Sequence, residues 1–118
     1  MAKCDQGYLC EVCTEEVENI TDSDLYLRYI IGEVDHKSLL SAPERHLRCN
    51  PVQAQFIVNE NFDPVVVEGP FDKRLLEIED VQKREDLLTR GWQRLQEIYG
   101  QSIPLSEYPL EDVRKKVL

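Results

Sequence analysis

The sequence predicts a small α+β fold, in which a hairpin and short helices in the N-terminal half precede a short strand and a long helix. Three observations support this prediction. Residues 8–17 alternate in part between apolar and polar side chains, as hairpin strands do. Asn50 and Pro51 form a strong helix start, because a first turn does not need the N–H that proline lacks. From Ile78 to Tyr99, apolar residues recur every three or four positions, which indicates a helix of about six turns.

The 118 residues fit a single domain, residues 1–118, because independent domains commonly hold about 100 to 150 residues. Within it we expect a first module at residues 1–59, a strand and a long helix packed on it at residues 60–100, and a C-terminal tail at residues 101–118. Hydrophobic residues make up 42% of the chain and charged residues 31%, a balance typical of a folded protein with a well-solvated surface.

Location and charge narrow the possible partners. The start of the chain, Met1 to Asp5, has no apolar run that could serve as a signal peptide, and no stretch approaches the roughly 18 apolar residues of a membrane span. We therefore expect a cytoplasmic protein without a membrane span, in which permanent disulfides are disfavoured. The net charge of -9 repels phosphate backbones, which disfavours nucleic acids and favours protein partners.

The first helix candidate follows the hairpin, at residues 25–31. Asp22 or Ser23 can cap it, because a short polar side chain accepts a hydrogen bond from the first turn. The β-branched and aromatic residues of this segment also suit a strand, and Gly32 ends it in either case. The helix is the favoured interpretation.

The next predicted elements are a second helix and a strand. The helix that begins at Pro51 should stop near Asn59. The β-branched residues 65–67 follow, and Gly69 and Pro70 close the run. A short apolar β-branched run between turn residues predicts a strand, which could form an edge.

The long helix has one apolar face on which Glu85 is the only polar member. Gly91 costs about 1 kcal/mol of helix propensity relative to alanine, so packing must compensate, and Gly100 suits the C-terminal cap. Beyond it two prolines interrupt the chain, and residues 110–118 suit either a short amphipathic helix or a loose tail. The face consists of Ile78, Val81, Glu85, Leu88, Trp92, Leu95 and Tyr99.

Two pairs of side chains are candidate metal ligands, Cys10-x-x-Cys13 and His46-x-x-Cys49. Each two-residue spacing lets both side chains turn to one point, and structural zinc takes four thiolate and imidazole ligands. We therefore expect Zn²⁺ to tie the hairpin to the helix that starts at Pro51. Three thiolates and a neutral imidazole leave the site with about one negative charge, which the positive end of that helix would stabilise.

The cysteines leave other interpretations open. The same residues could instead be buried cysteines that bind no metal, or they could hold an iron–sulfur cluster. Cys4 could compete as a ligand, but it has no chelating partner, so burial or a free thiol is the expected state. A redox pair of Cys10 and Cys13 is disfavoured, because carboxylates such as Glu11 and Glu15 would raise the thiol pKa and suppress the reactive thiolate.

This arrangement resembles the treble-clef family of zinc modules. In that family a knuckle in a hairpin, here at residues 9–14, gives two ligands, and the start of a helix, here at Pro51, gives two more. The resemblance covers roughly residues 8–58 and implies a structural zinc site. The sequence departs from the family pattern at two points: Pro51 places Cys49 just before the helix, and Thr14 stands where a glycine is common.

A second resemblance concerns Asp35 and His36, which lie between the ligand pairs, with Cys49 and Asn50 beyond. This order is similar to the HNH nucleases, a treble-clef family. The resemblance implies that His36 would act as the base that activates water beside a divalent metal. The acidic chain would repel DNA, which favours an exposed His36 without a catalytic role.

A site with four protein ligands has no position for the water that a catalytic zinc activates. We therefore predict no catalytic residue and a non-catalytic, zinc-stabilised interaction or assembly factor, which binds a protein partner or a second copy through the long helix or the tail. The alternatives are a nucleic-acid-binding zinc module, because basic residues cluster at 83–84 and 114–116, and the HNH-type nuclease. Residues 26–29 and 68–74 are also similar to small uncharacterised cyanobacterial proteins, which implies no activity.

Overall fold

The computed structural model describes residues 8–117, which form a mixed, helix-rich fold. Within this range no helix combines the length and the apolar character that crossing a membrane requires. Strands β1 (Tyr8–Leu9) and β2 (Glu16–Val17) form an antiparallel hairpin. The helices are α1 (Asp24–Ile30), α2 (Ser38–Ser41), α3 (Pro51–Ala54), α4 (Ile78–Ile98) and α5 (Glu111–Val117). Short 3-10 turns lie at Ile20–Asp22, Leu47–Cys49, Lys73–Leu75 and Leu105–Glu107.

The predicted hairpin and first helix are confirmed. In the hairpin, Tyr8 lies opposite Val17, and the turn that follows β1 holds the first cysteine pair. Ser23 caps α1, because its Oγ accepts a hydrogen bond of 3.1 Å from the N–H of Tyr26. The residues that also suited a strand are helical here, because α1 buries all but one of its side chains.

Helix α1 packs against α4, and this pair forms the centre of the apolar core. Gly91 lies where the helices meet, and a Cβ at this position would lie 2.6 Å from Cγ2 of Ile31 and 2.8 Å from Cδ1 of Leu27. The missing side chain lets the helices approach, which compensates for the low helix propensity of glycine. The side chains with least exposure in this core include Leu25, Leu27, Ile30, Leu88, Leu95 and Ile98.

The apolar face of α4 is buried only over part of its length. Leu88, Trp92 and Leu95 are buried, whereas Ile78 is 69% exposed and Tyr99 is 52% exposed. The two outermost positions of the predicted face therefore lie outside the core. A helix as short as α1 spans about 10 Å, and one as long as α4 spans about 32 Å, so α1 covers only part of the face.

Helix α3 ends after one turn rather than near Asn59, so the prediction of a longer helix is wrong. The Gln55 side chain explains the early end, because its Nε2 donates a hydrogen bond of 2.9 Å to the carbonyl of Val52. In a continuing helix this carbonyl would accept the N–H of Phe56, which instead bonds to the residue three positions back at 3.2 Å.

Residues 65–67 do not form the predicted strand. In the described range the only sheet is the β1–β2 hairpin, so these valines have no partner strand. A β-branched run gains its ladder of hydrogen bonds only beside another strand, and prolines at 64 and 70 limit pairing further. The β propensity of residues 65–67 is therefore not enough to form a strand.

The C-terminal segment folds back onto α1. The N–H of Leu110 donates to the carbonyl of Ile30 at 3.1 Å, and the Tyr29 hydroxyl donates to the carbonyl of Leu105 at 2.7 Å. Leu110 is buried in the same core as α1 and α4. Of the two alternatives for residues 110–118, the structure contains the helix, α5.

The close approach at Gly91 gives a stability prediction. Gly91→Ala should lower the free energy of unfolding by about 1–2 kcal/mol, because overpacking against Leu27 and Ile31 outweighs the gain in helix propensity. Urea unfolding measures the change. Gln96→Ala, at an exposed position of the same helix, is the control and should change stability by less than about 0.5 kcal/mol. A Gly91→Ala variant more stable than the natural chain would show that the helices do not need this approach.

Candidate metal centre

The turn between β1 and β2 presents Cys10 and Cys13. The N–H of Cys10 donates to the carbonyl of Glu15 at 2.8 Å, and the N–H of Thr14 donates to the carbonyl of Cys10 at 2.9 Å, which closes the turn. The N–H of Val12 lies 3.4 Å from Cys10 Sγ. A donor aimed at sulfur stabilises the thiolate form, which is the form that binds metals.

The segment before α3 supplies the other two ligands. Its backbone is bonded to the hairpin turn, because the N–H of Glu11 donates to the carbonyl of Glu44 at 2.9 Å. A 3-10 turn then brings Cys49 back toward His46, and the N–H of Cys49 donates to the His46 carbonyl at 3.0 Å. Both pairs are thus held by tight local turns that are joined to each other.

The four predicted ligands converge. Each offers one ligand atom, and all four atoms lie within 4.8 Å of one another. Nδ1 of His46 lies 3.3 Å from Cys13 Sγ and 3.8 Å from Cys49 Sγ. Zinc–sulfur distances of about 2.3 Å place tetrahedral ligand atoms about 3.8 Å apart, close to the observed spacing. Cys10 is buried and Cys13 is exposed. The four side chains together could bind a metal ion.

The imidazole of His46 is oriented for binding through Nδ1. Its Nε2 lies 3.0 Å from the carbonyl oxygen of Glu16 and 3.8 Å from Oδ2 of Asp22. A carbonyl only accepts hydrogen bonds, so Nε2 carries the proton, and Nδ1 presents its lone pair toward the sulfur atoms. Metal-ligating histidines are usually held in this way, with the second nitrogen donating to a carbonyl or carboxylate.

The pKa values within the cluster show why it favours a cation. Burial raises the pKa of Cys10, but hydrogen bonds from backbone N–H groups, that of Cys13 first, outweigh it and lower the pKa to about 6. Burial and the neighbouring thiols raise the pKa of Cys49 to about 12. Burial lowers the pKa of His46, yet the Glu16 carbonyl and nearby acidic groups leave it raised. Ionisation of Cys10 therefore opposes ionisation of Cys49, and a bound cation would remove that obstacle.

The helix expected to stabilise this negative charge is only one turn long, so its dipole is small. Arg45 carries positive charge that interacts with Cys10 and Glu11. Its Nε donates to Oε2 of Glu11 at 3.0 Å, and this hydrogen bond, together with the charges of Glu11, Asp24 and Cys10, raises the pKa of Arg45. A guanidinium therefore adds positive charge to the surroundings of Cys10.

A buried polar network behind the ligands was missed by the sequence analysis. Asp24 is fully buried, and its carboxylate lies 3.1 Å from Nε of Arg28 and accepts from Nδ2 of Asn50 at 3.2 Å. Burial raises the pKa of Asp24, and Arg28 opposes that rise. Asn50 thus joins α3 to α1 instead of capping α3 with its side chain. The only sequence signal is an Asp four residues before an Arg, which usually indicates a surface ion pair.

Two other candidates lie apart from the cluster. Cys4 falls outside the described residues. His36 is exposed, and in the described range the only group of His, Cys, Asp and Glu side chains close enough to hold a metal does not include it. The neighbouring Asp35 accepts hydrogen bonds from the N–H and hydroxyl of Ser38, at 3.0 and 3.1 Å, at the start of α2.

Comparison of the chain with protein-family models, with curated proteins and with solved structures gave no match. The kind of metal that the site could bind is therefore inferred from its four candidate ligand atoms. Three thiols and one imidazole are ligands that zinc prefers, and together they fill a tetrahedron.

Thr14 gives a test of the hairpin turn. Its φ of 66° lies in the left-handed region, which is unfavourable for a β-branched residue and free of strain for glycine. Thr14→Gly should raise the free energy of unfolding by about 1 kcal/mol. Thr14→Ala is the matched control, because it removes the hydroxyl that donates to the Cys13 carbonyl but keeps the Cβ, and it should give no gain. Equal stabilities of the two variants in urea unfolding would contradict the prediction.

Proposed function

We propose that this chain is a non-catalytic protein-interaction module, formed by a single domain at residues 1–118, whose treble-clef-like N-terminal half is stabilised by zinc. The convergence of one ligand pair from a hairpin turn and one from the start of a helix supports this most directly. Three cysteines and one histidine favour zinc over an iron–sulfur cluster. Such clusters usually take four thiolates, or two thiolates and two histidines. An ion with four protein ligands contributes folding free energy and leaves no position for a reacting water.

The surface proposed to contact a partner is the apolar segment, residues 66–78. In the described part of the chain no other stretch of this length holds as many exposed large apolar side chains. Isolated exposed apolar residues are normal, but a concentration of them is typical of interaction surfaces. The exposed fractions run from 48% to 70% for Val66, Phe71, Leu75, Leu76 and Ile78.

Polar contacts hold the apolar segment in place. Gln55 is 3% exposed, and its side chain donates to the Phe71 carbonyl at 2.8 Å and accepts from the N–H of Lys73 at 3.0 Å. Nζ of Lys73 reaches Oε2 of Glu85 on α4 at 2.6 Å. The backbone is thus fixed by buried polar groups while its apolar side chains remain in water. A surface ordered before binding loses less conformational entropy when a partner arrives.

The middle of the α4 face is buried against α1, and Leu110 of the tail lies in the same core. The apolar side chains exposed at the two ends of this face are Ile78 and Tyr99, and Ile78 belongs to the apolar segment. The proposed contact therefore lies at the start of the long helix. Either a different protein or a second copy could supply the complementary apolar surface.

The nucleic-acid and nuclease alternatives have less support. Several basic side chains are paired with carboxylates, as for Arg74 with Asp72 at 2.6 Å and Arg84 with Glu33 at 2.6 Å. This pairing and the net charge of -9 disfavour a phosphate backbone. His36 lies outside the ligand cluster, so no divalent metal site is formed beside it by the described residues.

The zinc proposal predicts that metal and fold are lost together. Cys49→Ser should remove zinc and abolish cooperative unfolding, because structural zinc contributes about 10–16 kcal/mol, comparable to the whole stability of a small domain. Native mass spectrometry should find one zinc per natural chain, and thermal unfolding followed by circular dichroism reports the fold. His36→Ala is the control and should keep both. A soluble Cys49→Ser variant that unfolds cooperatively without zinc would overturn the proposal.

The interaction proposal predicts that one surface charge abolishes association. Leu75 is 70% exposed, so Leu75→Glu should change stability by less than about 0.5 kcal/mol while preventing apolar contact. Tyr99→Glu, at a 52% exposed position at the other end of α4, is the matched control. Sedimentation velocity tests self-association, and immobilised chain tests the capture of other proteins. Equal association by both variants would place the contact elsewhere.

A further inference from the structure

A cavity of about 500 Å³ lies between the end of α1 and α5. Its apolar wall includes Val34, Pro109 and Val113, and the volume falls in the range of small-molecule sites, about 300–1,000 Å³. The cavity is distinct from the metal ligands and from the apolar segment, since it shares no residue with either. Such a cavity binds a ligand when a few polar groups with unused bonding capacity face it.

Arg114 lines this cavity, and its guanidinium has no ion pair or hydrogen-bond acceptor among the described residues. Its Nε is buried and unbonded. A guanidinium has five N–H donors and retains its charge in proteins, so a buried donor without an acceptor is unfavourable. The other arginines each contact a carboxylate or a carbonyl: Arg28, Arg45, Arg48, Arg74, Arg84, Arg90 and Arg94.

The acidic groups of the cavity are engaged with other partners. Oε1 of Glu33 accepts from Gln53 at 3.0 Å, and Oε2 pairs with Arg84 at 2.6 Å. Asp35 accepts from both donors of Ser38. These carboxylates are therefore not the missing acceptors for Arg114.

The remaining polar groups are able to donate. The His36 imidazole and the Ser106 hydroxyl line the cavity and make no hydrogen bond in the described range. The Tyr29 hydroxyl is already donating to a backbone carbonyl. Unused donors beside an apolar wall match a ligand that has an acceptor-rich, negatively charged head and an apolar body.

We propose that this cavity binds a small monocarboxylate, with the carboxylate on Arg114 and the apolar body against Val34, Pro109 and Val113. The planar guanidinium matches the two oxygens of a carboxylate. A monoanion is favoured over a phosphate dianion, because Glu33 and Asp35 line the same cavity and the chain has a net charge of -9. This site is independent of the proposed zinc and partner binding.

The test is an NMR titration of the zinc-loaded full chain with phenylacetate, followed through backbone amide shifts. Saturable shifts are expected at residues 32–36 and 106–114. The neutral isostere phenylacetamide and the dianion phenyl phosphate should each bind at least tenfold more weakly. Arg114→Met should weaken phenylacetate binding at least tenfold. Lys115→Met removes the same charge from the next residue of α5, an exposed position, and should leave the affinity within twofold.

A second variant tests the cavity without changing charge. Ser106 is an exposed lining residue, and Ser106→Trp should block the cavity and abolish binding while the amide spectrum elsewhere stays that of the natural chain. The absence of saturable shifts with phenylacetate would overturn the proposal. So would unchanged affinity in Arg114→Met, and tighter binding of phenyl phosphate would overturn the carboxylate class.

Discussion

Electrostatic repulsion among thiolates crowded into one site is the constraint on which the N-terminal half depends. The ligand atoms of Cys10, Cys13, His46 and Cys49 lie within 4.8 Å of one another, and burial and the neighbouring thiols raise the pKa of Cys49. The surrounding elements are two-residue strands and one-turn helices, which are too short to be stable alone. In the proposed holoprotein a dication turns this repulsion into attraction, and the same bonds that satisfy the metal hold the hairpin beside α3.

Helix α1 links this half to the rest of the fold. Its N-terminal residues Ser23 and Asp24 join the network behind the ligands, and its apolar face packs against α4 at Gly91. Its C-terminal carbonyl at Ile30 accepts a hydrogen bond from the N–H of Leu110 in the tail. This helix of two turns thus contacts the candidate metal centre, the apolar core and the wall of the cavity. Because its contacts are closely packed, a substitution that displaces α1 would change all three.

Features with a local signal could be predicted from the sequence. Ser23 determines the start of α1, and the apolar spacing determines most of α4, because capping and periodicity depend on neighbouring residues alone. The four candidate ligands could be recognised in the sequence because the spacing within each pair is also local. The convergence of the two pairs required the structure, because it depends on a backbone bond from Glu11 to Glu44, far apart in the chain.

Features that depend on tertiary partners could not be predicted. Gln55 ends α3 because its side chain bonds to the carbonyls of Val52 and Phe71. Residues 65–67 lack regular structure because, among residues 8–117, no second strand lies beside them. Asp24 and Arg28 have the spacing of a surface pair, and only the packing around them shows that they are buried. In each case a long-range contact outweighs a local preference.

The separation of the ligand pairs also has a kinetic consequence. Between Cys13 and His46 lie 32 residues, which include α1 and α2, so an ion bound to both pairs closes this stretch into a ring. Closing a loop of this length costs the chain conformational entropy. Once the loop is closed, later contacts within it need no further long loop closure. An ion captured early would bring α1 beside the start of α3 before α4 is folded against it. The order of assembly on the ribosome would then depend on metal supply as well as on chain length.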